Sequence, residues 1–360
     1  MSERFPSLMR GVVFVLAVGW VLHIGRQIFE PIIISVLVVY VIVGVARLTQ
    51  RIPWLGPLMS VKLQYTLAIL LIVLAVVGIA SLIISNIARI TLLAPKYQAG
   101  LIELIQKWFV ILGGASEPTW DSLRRDIIGQ INIHRVISST LSSVKSIVGG
   151  AAVVLLYAVF LLIEKFNLPY KISNIAKEFP GAAIWERAII DINDRIGTYL
   201  ALKTFCSVLL GLISWAIMAW FGLEFAALWA ILIALLNYVP YLGTFLGVLF
   251  PVAFSIVQFG QLEAAIKVAI ALSVPQFFIG NFLDPYLMGN SLNLSPFAIL
   301  VSLAVWGALW GITGAFCAVP ITACIAMALS EFPETRPIAI MLSRNGDLGP
   351  ALRSTAGPDG

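Results

Sequence analysis

Asp284 is the acid whose surroundings in this sequence ask for chemistry. It falls in a polar interruption, Gly280, Asn281, Asp284, Pro285, Gly289, Asn290, Asn293 and Pro296, set between apolar runs. A carboxylate at the centre of a membrane helix costs at least about 2.5 kcal/mol and needs a partner, a cation or a proton. Two settings are open for it: a binding acid at membrane depth, or an exposed helix cap in a turn. A second interruption occupies residues 235–251, LLNYVPYLGTFLGVLFP, where Asn237, Tyr238, Pro240, Gly243, Gly247 and Pro251 stand among apolar residues. Pro240 has no N–H to donate and disfavours helical geometry at Val239. The stretch therefore reads as two half-helices with a bend, or as a tight hairpin between two spans. Lipid offers the freed backbone no hydrogen-bond partner, so that backbone must be buried in protein or line a watery cavity. Asn237, Tyr238, Pro240, Gly243, Asp284 and Pro285 are thus the candidate residues for binding a solute or ion.

The other reactive residue types point away from catalysis. His23 is a lone histidine in a first helix, and neither it nor His134 has a nucleophile partner that the sequence can name. Cys206, Cys317 and Cys324 lie in apolar runs without CxxC spacing, which reads as small buried hydrophobes rather than a disulfide framework or a metal site. No GxxxxGK[ST] motif is present, which argues against transport driven by the chain's own ATP hydrolysis. The reading is of a protein that is not an enzyme, with no cofactor and no metal centre.

The elements that must position these residues follow from composition. The 360 residues are 60% hydrophobic and 11% charged, with a mean hydropathy of +0.99, whereas a soluble domain carries about 25% charged residues. This is the composition of an integral membrane protein. The net charge of +5 fits basic residues flanking spans on the cytoplasmic side, and no basic patch with interleaved aromatics suggests nucleic acid.

In chain order, residues 11–25 and 31–46 read as a helical hairpin joined by residues 26–30. Arg47, Arg51 and Lys62 mark a cytoplasmic loop, and residues 65–85 form the clearest span. Residues 86–146 are an amphipathic extramembrane module, with one helix carrying Trp108 and a second from Trp120 to about Ile133. Residues 147–163 span, and residues 167–203 are amphipathic, divided into two helices by Pro180 and Gly181. A C-terminal unit at 205–330 holds both interruptions. Within it residues 297–329, interrupted by Gly307, Gly311 and Gly314, form a re-entrant hairpin or two half-helices. Residues 331–360 are a tail, mobile after about Leu342. The domain boundaries expected are therefore 1–85, 86–146, 147–204, 205–330 and 331–360.

Three segments carry a specific resemblance. NYVPYLG, then LDPYLMGNSLNLSP, then VWGALWGITGAFCAVP, in this order near the C-terminus, resemble the signature segments of the autoinducer-2 exporter family of bacterial membrane proteins. The order of spans and amphipathic segments is also similar, so the likeness covers most of the chain, while the specific motifs lie within residues 235–320. The resemblance implies a secondary transporter with eight spans and homo-oligomeric assembly. It also implies cargo such as a small signalling molecule, or Na⁺/H⁺ exchange. Many relatives carry Glu where this chain has Asp284 before Pro285, one methylene shorter, so a bound cation would be held differently.

The expectation is an all-α, polytopic protein of the bacterial inner membrane, with about eight transmembrane helices, broken or re-entrant hairpins and amphipathic extramembrane helices. Its partners are the lipid bilayer, a small polar solute, Na⁺ or H⁺, and further copies of itself. Gly247, Gly289, Pro296, Gly307, Gly311 and Gly314 are expected to permit close backbone packing or sliding. The alternative is a membrane scaffold that transports nothing.

Overall fold

A computed structural model of the chain describes residues 4–51, 59–111, 133–178, 182–288 and 292–346. The named elements are all helical: α1 Arg4–Ile24, α2 Arg26–Arg51, α3 Val61–Ile111, α4 Ile133–Glu178, α5 Ala182–Trp220, α6 Ala226–Leu236, α7 Leu242–Phe259 and α8 Leu262–Phe278. A π-helical turn, Ile279–Leu283, leads into α9 Asp284–Met288, followed by α10 Pro296–Ser330 and α11 Arg336–Leu342. Among the described residues, seven helical stretches are long and apolar enough to cross a bilayer. Met9–Ile24 and Ala226–Leu236 are shorter apolar helices. This is an all-α polytopic membrane fold.

Several helices are longer than the hydropathy pattern suggests. α3 does not stop after its most apolar stretch, Val61–Asn86, but runs 51 residues to Ile111, about 77 Å at 1.5 Å per residue. The module expected from residue 86 therefore begins as the continuation of a span, and its second helix at 120–133 lies almost wholly outside the described residues. α5 likewise passes without a break from the amphipathic segment through Thr204 to Trp220. A change of side chains from water-facing to lipid-facing does not interrupt backbone hydrogen bonding, so composition alone misplaces such ends. α1 and α2 are joined at Gly25 alone, and Pro31 lies inside α2 rather than opening it. The Pro180 and Gly181 divide lies outside the described residues, between Glu178 and Ala182.

The chain packs as two compact units. One comprises Met1–Tyr65, Ala152–Leu202 and Met288–Gly360. Its core gathers Leu37, Ile196, Tyr199, Leu200, Leu294, Cys317, Val319 and Ala323. α10 starts where the sequence says a helix should: Ser295 accepts from Ala298 N–H at 3.1 Å and Pro296 occupies the first turn. At Gly311 (φ 64°, ψ −137°) the helix folds back on itself. Trp306 Nε1 then donates to Thr322 Oγ1 at 3.1 Å, sixteen residues on, a separation of about 24 Å in a straight helix. Trp310 Nε1 donates to the Leu22 carbonyl at 2.9 Å, taking up one of the carbonyls left free at the end of α1. His23 Nδ1 lies 3.2 Å from the Leu309 carbonyl oxygen.

The other unit comprises Thr66–Ala151 and Lys203–Leu287. Cys206, Leu210, Met218, Leu223, Ala230, Ile233, Val268, Leu272 and Ile279 form its core. α6 packs on α7 and α7 on α8. Gly211 lets α5 approach α6 closely, since a Cβ there would stand 3.0 Å from that of Ala234. α6, with 11 residues, is about 16 Å long and cannot cross a hydrocarbon core of about 30 Å. It is the short limb of a hairpin whose longer limb is α7.

Candidate substrate cavity

The α6–α7 turn is built from backbone geometry that few residues tolerate. Tyr241 sits at φ 62°, ψ −58°, and the Leu242 N–H donates to the Pro240 carbonyl at 2.7 Å. That is the positive-φ γ-turn, a strained form for any residue with a side chain. Gly243 N–H returns to the Val239 carbonyl at 2.9 Å, and Thr244 Oγ1 donates to the Tyr241 carbonyl at 2.7 Å. A Cβ on Gly243 would lie 1.8 Å from the Leu236 carbonyl oxygen, so this approach of the two limbs admits glycine alone. The turn is tight, and Pro251 belongs to the body of α7 rather than to the break.

Asp284 reaches its position by a different device. The helix begun at Leu262 does not end in a polar loop at Gly280; it continues through the π turn into α9. Pro285 has no N–H for the carbonyl four residues back, and the preceding turn is widened so that Asp284 N–H bonds to the Ile279 carbonyl, five residues back. The extra residue also rotates the helix face. Gln276 and Asp284, eight apart, would diverge by about 80° on a regular α-helix, and the π turn takes up that difference. Both residues line one cavity.

That cavity has a volume of about 760 Å³ and lies within the Lys203–Leu287 part of its unit. Its polar lining includes Lys203, Asn237, Thr244, Ser273, Gln276, Asn281 and Asp284, and Phe245, Val248, Leu249 and Val252 supply apolar lining from α7. Lys203 Nζ donates to Asp284 Oδ2 at 2.6 Å, with the two side chains 9% and 14% exposed. The exposed-cap setting for Asp284 is therefore excluded. Asp284 Oδ1 is buried without a hydrogen-bond partner among the described residues, as is Gln276 Nε2. The Cys206 thiol, a weak donor, adjoins the same carboxylate. Buried Asn237 donates from Nδ2 to Ser207 Oγ at 3.0 Å.

Of the residues singled out from sequence, Asn237, Pro240 and Asp284 line the cavity. Tyr238 turns away: its hydroxyl donates to Thr204 Oγ1 at 2.7 Å, and it borders a separate apolar cavity of about 530 Å³ with Trp215 and Leu212. Gly243 shapes the turn, a Cβ added to Gly247 would stand at an ordinary 3.6 Å from Ile233, and Pro285 is exposed beside the π turn. Gly289 lies outside the described residues. Pro296, Gly307, Gly311 and Gly314 belong to α10 in the other unit. There Gly314 meets the Trp306 carbonyl oxygen at 1.8 Å from a would-be Cβ, whereas Gly307 faces open space.

Sequence reasoning missed Lys203, Gln276 and Tyr241. Lys203 had a legible signal, being the one charge between residues 196 and 223, a position where an ionisable group demands a partner. Gln276 carried a weaker one, an amide beside Pro275 in an apolar helix. Tyr241 carried none, since nothing in its type forecasts a positive φ.

Residues 12–334 match the family model described as AI-2E family transporter. The AI-2 transport protein TqsA of Escherichia coli (strain K12) is 28% identical over 346 residues, covering 93% of this chain and 94% of that protein. A putative transport protein of Borreliella burgdorferi is 30% identical over 60% of this chain and 61% of its own length. The putative transport protein YhhT of E. coli K12 is 27% identical over 77% of this chain and 78% of its own. With the family model spanning nearly the whole chain and the fold a set of apolar helices, this protein belongs to the AI-2E family of multi-pass membrane transporters.

Proposed function

We propose that the Lys203–Asp284 cavity is the substrate site of a secondary transporter that moves a small polar solute across the bacterial inner membrane. The observation that carries this is a buried ion pair, with unpartnered polar atoms beside it, on the wall of a solute-sized cavity. Intramembrane charges are expensive and mark substrate or ion pathways, and interrupted helices at mid-depth are the usual setting of transporter sites. The α6–α7 hairpin supplies one wall through a strained turn at Tyr241, a feature suited to a segment that changes conformation during transport. No bound nucleotide is invoked; the solute moves down its own gradient or with Na⁺ or H⁺.

A relative's name supplies the first cargo to test, since the E. coli protein is called an AI-2 transport protein. Counterflow of AI-2 in proteoliposomes should be saturable with the wild type and lost in Asp284→Asn. Undiminished counterflow in a folded Asp284→Asn protein overturns the proposal. Imposed Na⁺ and proton gradients, applied to the same vesicles, identify the coupling.

A further inference from the structure

Away from the cavity, four of the membrane-crossing stretches have an end in the unit built on α2 and α10: Arg26–Arg47, Val61–Asn86, Gly149–Leu168 and Ile192–Trp220. Side-chain contacts bring these ends together. Tyr65 meets Phe166 edge to face at 5.4 Å between centroids, joining the start of α3 to α4. Arg47 Nη2 lies 3.9 Å from Asp194 Oδ1, joining α2 to α5. Two glycines keep the α2–α5 seam tight: a Cβ on Gly44 would stand 3.0 Å from that of Ala201, and one on Gly197 would stand 3.4 Å from the Tyr40 ring. Aromatic and basic side chains gathered at span ends mark the boundary between hydrocarbon and water. Lys165, near the end of the Gly149–Leu168 stretch, lies at this boundary.

The charges there do not balance. Lys165 is within electrostatic reach of both Arg47 and Asp194, so two cations share one acid, and Arg47 is the cation in contact with it. Glu164, next in sequence, is already engaged by Lys171 Nζ at 2.5 Å. Among the described residues Lys165 makes no ion pair and no hydrogen bond. Arg47 and Asp194 reach into water, with side chains 55% and 64% exposed, whereas Lys165 is half-buried. A half-buried ammonium in excess at the edge of hydrocarbon is costly without an anion. One phosphodiester matches the excess charge, and at this level of a bilayer the phosphates are those of lipid. Arginine takes phosphate with its planar fork and lysine as a point charge. A choline headgroup would bring a third cation to the group, so the match is to an anionic lipid.

We propose that Arg47 and Lys165 bind the phosphate of an anionic phospholipid where α2, α4 and α5 meet the membrane surface, with Asp194 orienting the Arg47 guanidinium. The site is separate from the substrate cavity, and its occupation does not depend on which solute is carried.

The test uses the full chain in detergent and follows the first bound lipid by native mass spectrometry, comparing phosphatidylglycerol with phosphatidylcholine of the same acyl chains. Wild type should prefer phosphatidylglycerol by about 10-fold or more. Arg47→Gln with Lys165→Gln should bring the two lipids to parity, while Lys165→Arg, which keeps the charge, should keep the preference. Should the double variant fail to fold, Lys165→Gln alone carries the test and should lose about 3-fold or more of the preference. Inorganic phosphate in large excess distinguishes a lipid headgroup from a free anion, and bound phosphatidylglycerol should withstand it. Complete displacement by phosphate would show a site for soluble anions and overturn the lipid assignment. Equal binding of the two lipids by wild type, or a preference that survives unchanged in the folded glutamine variants, overturns the proposal outright.

Discussion

Lys203 Nζ meets Asp284 Oδ2 at 2.6 Å, joining α5 to the helix that follows the π turn, while Asp284 Oδ1 is buried without a hydrogen-bond partner among the described residues. At an effective dielectric of about 20 a pair at 4 Å attracts by about 4 kcal/mol, which offsets desolvation and does not greatly exceed it. The pair is better suited to fixing a geometry than to adding stability.

That reading predicts an asymmetric mutational pattern. Lys203→Met or Asp284→Leu alone strands a buried charge and should cost about 3–5 kcal/mol, whereas the double substitution should recover most of the loss. Denaturant unfolding in detergent, arranged as a double-mutant cycle, reads the coupling directly. Transport should remain absent in the restored double variant, because stability and function then part company.

The glycines divide by what stands opposite them. Gly243→Ala and Gly314→Ala each bring a Cβ within 1.8 Å of a carbonyl oxygen, at Leu236 and Trp306 respectively, so each should abolish folding or open its hairpin. Gly307→Ala meets nothing within 4 Å and Gly247→Ala meets Ile233 at 3.6 Å, so both should stay within about 1 kcal/mol of wild type. Yield and thermal unfolding of the four purified variants check the ordering.

Tyr241 carries strain that a glycine would release. A side chain at φ 62° and ψ −58° costs about 1–3 kcal/mol, partly offset in the variant by the added chain entropy of glycine, about 0.5–1 kcal/mol. Tyr241→Gly should therefore raise the unfolding midpoint slightly while slowing transport if the strained turn contributes to conformational change. Unfolding and flux measured on one preparation test both halves.

A cluster at the α5–α6 connection sets a pH window. Tyr97 hydroxyl and Lys96 Nζ both donate to the Glu224 carboxylate, the latter at 3.2 Å, and Glu224 N–H donates to Gln258 Oε1 at 2.8 Å. The hydrogen bond from Tyr97 holds the Glu224 carboxyl below its ordinary range, against the opposing effect of burial. Burial and then that same bond push the Tyr97 phenol upward. Glu224 thus contributes stability that is present above its unfolded value of about 4.3 and is lost as pH falls through its lower folded value. Tyr97 contributes stability present below about 10 and lost as pH rises toward its higher folded value. Tyr97→Phe should flatten both flanks of the stability profile, as followed by thermal unfolding from pH 3 to 11.

The parts of this fold that were legible in sequence are those governed by hydropathy and by proline. The apolar stretches, the hairpin around Pro240 and the fold-back near Gly311 all follow from patterns that lipid enforces. The continuity of α3 past Asn86 and of α5 through Thr204 was not legible, because backbone hydrogen bonding ignores the solvent change that side chains register. At the candidate site, Asp284 stood out as an acid between apolar runs, and its partner did not, because Lys203 closes an amphipathic segment whose other charges belong to water. The π turn was hidden as well: Pro285 reads as a break, whereas the chain widens one turn and continues.

The measurement closest to the central claim is covalent occupation of the cavity. Ser273→Cys in proteoliposomes would be treated with a bulky methanethiosulfonate reagent, with treated wild type as the control, since Cys206 and Cys317 are buried and Cys324 is half-buried. The account predicts that labelling Cys at this position stops solute flux and that dithiothreitol restores it. Complete labelling with flux unchanged would contradict it.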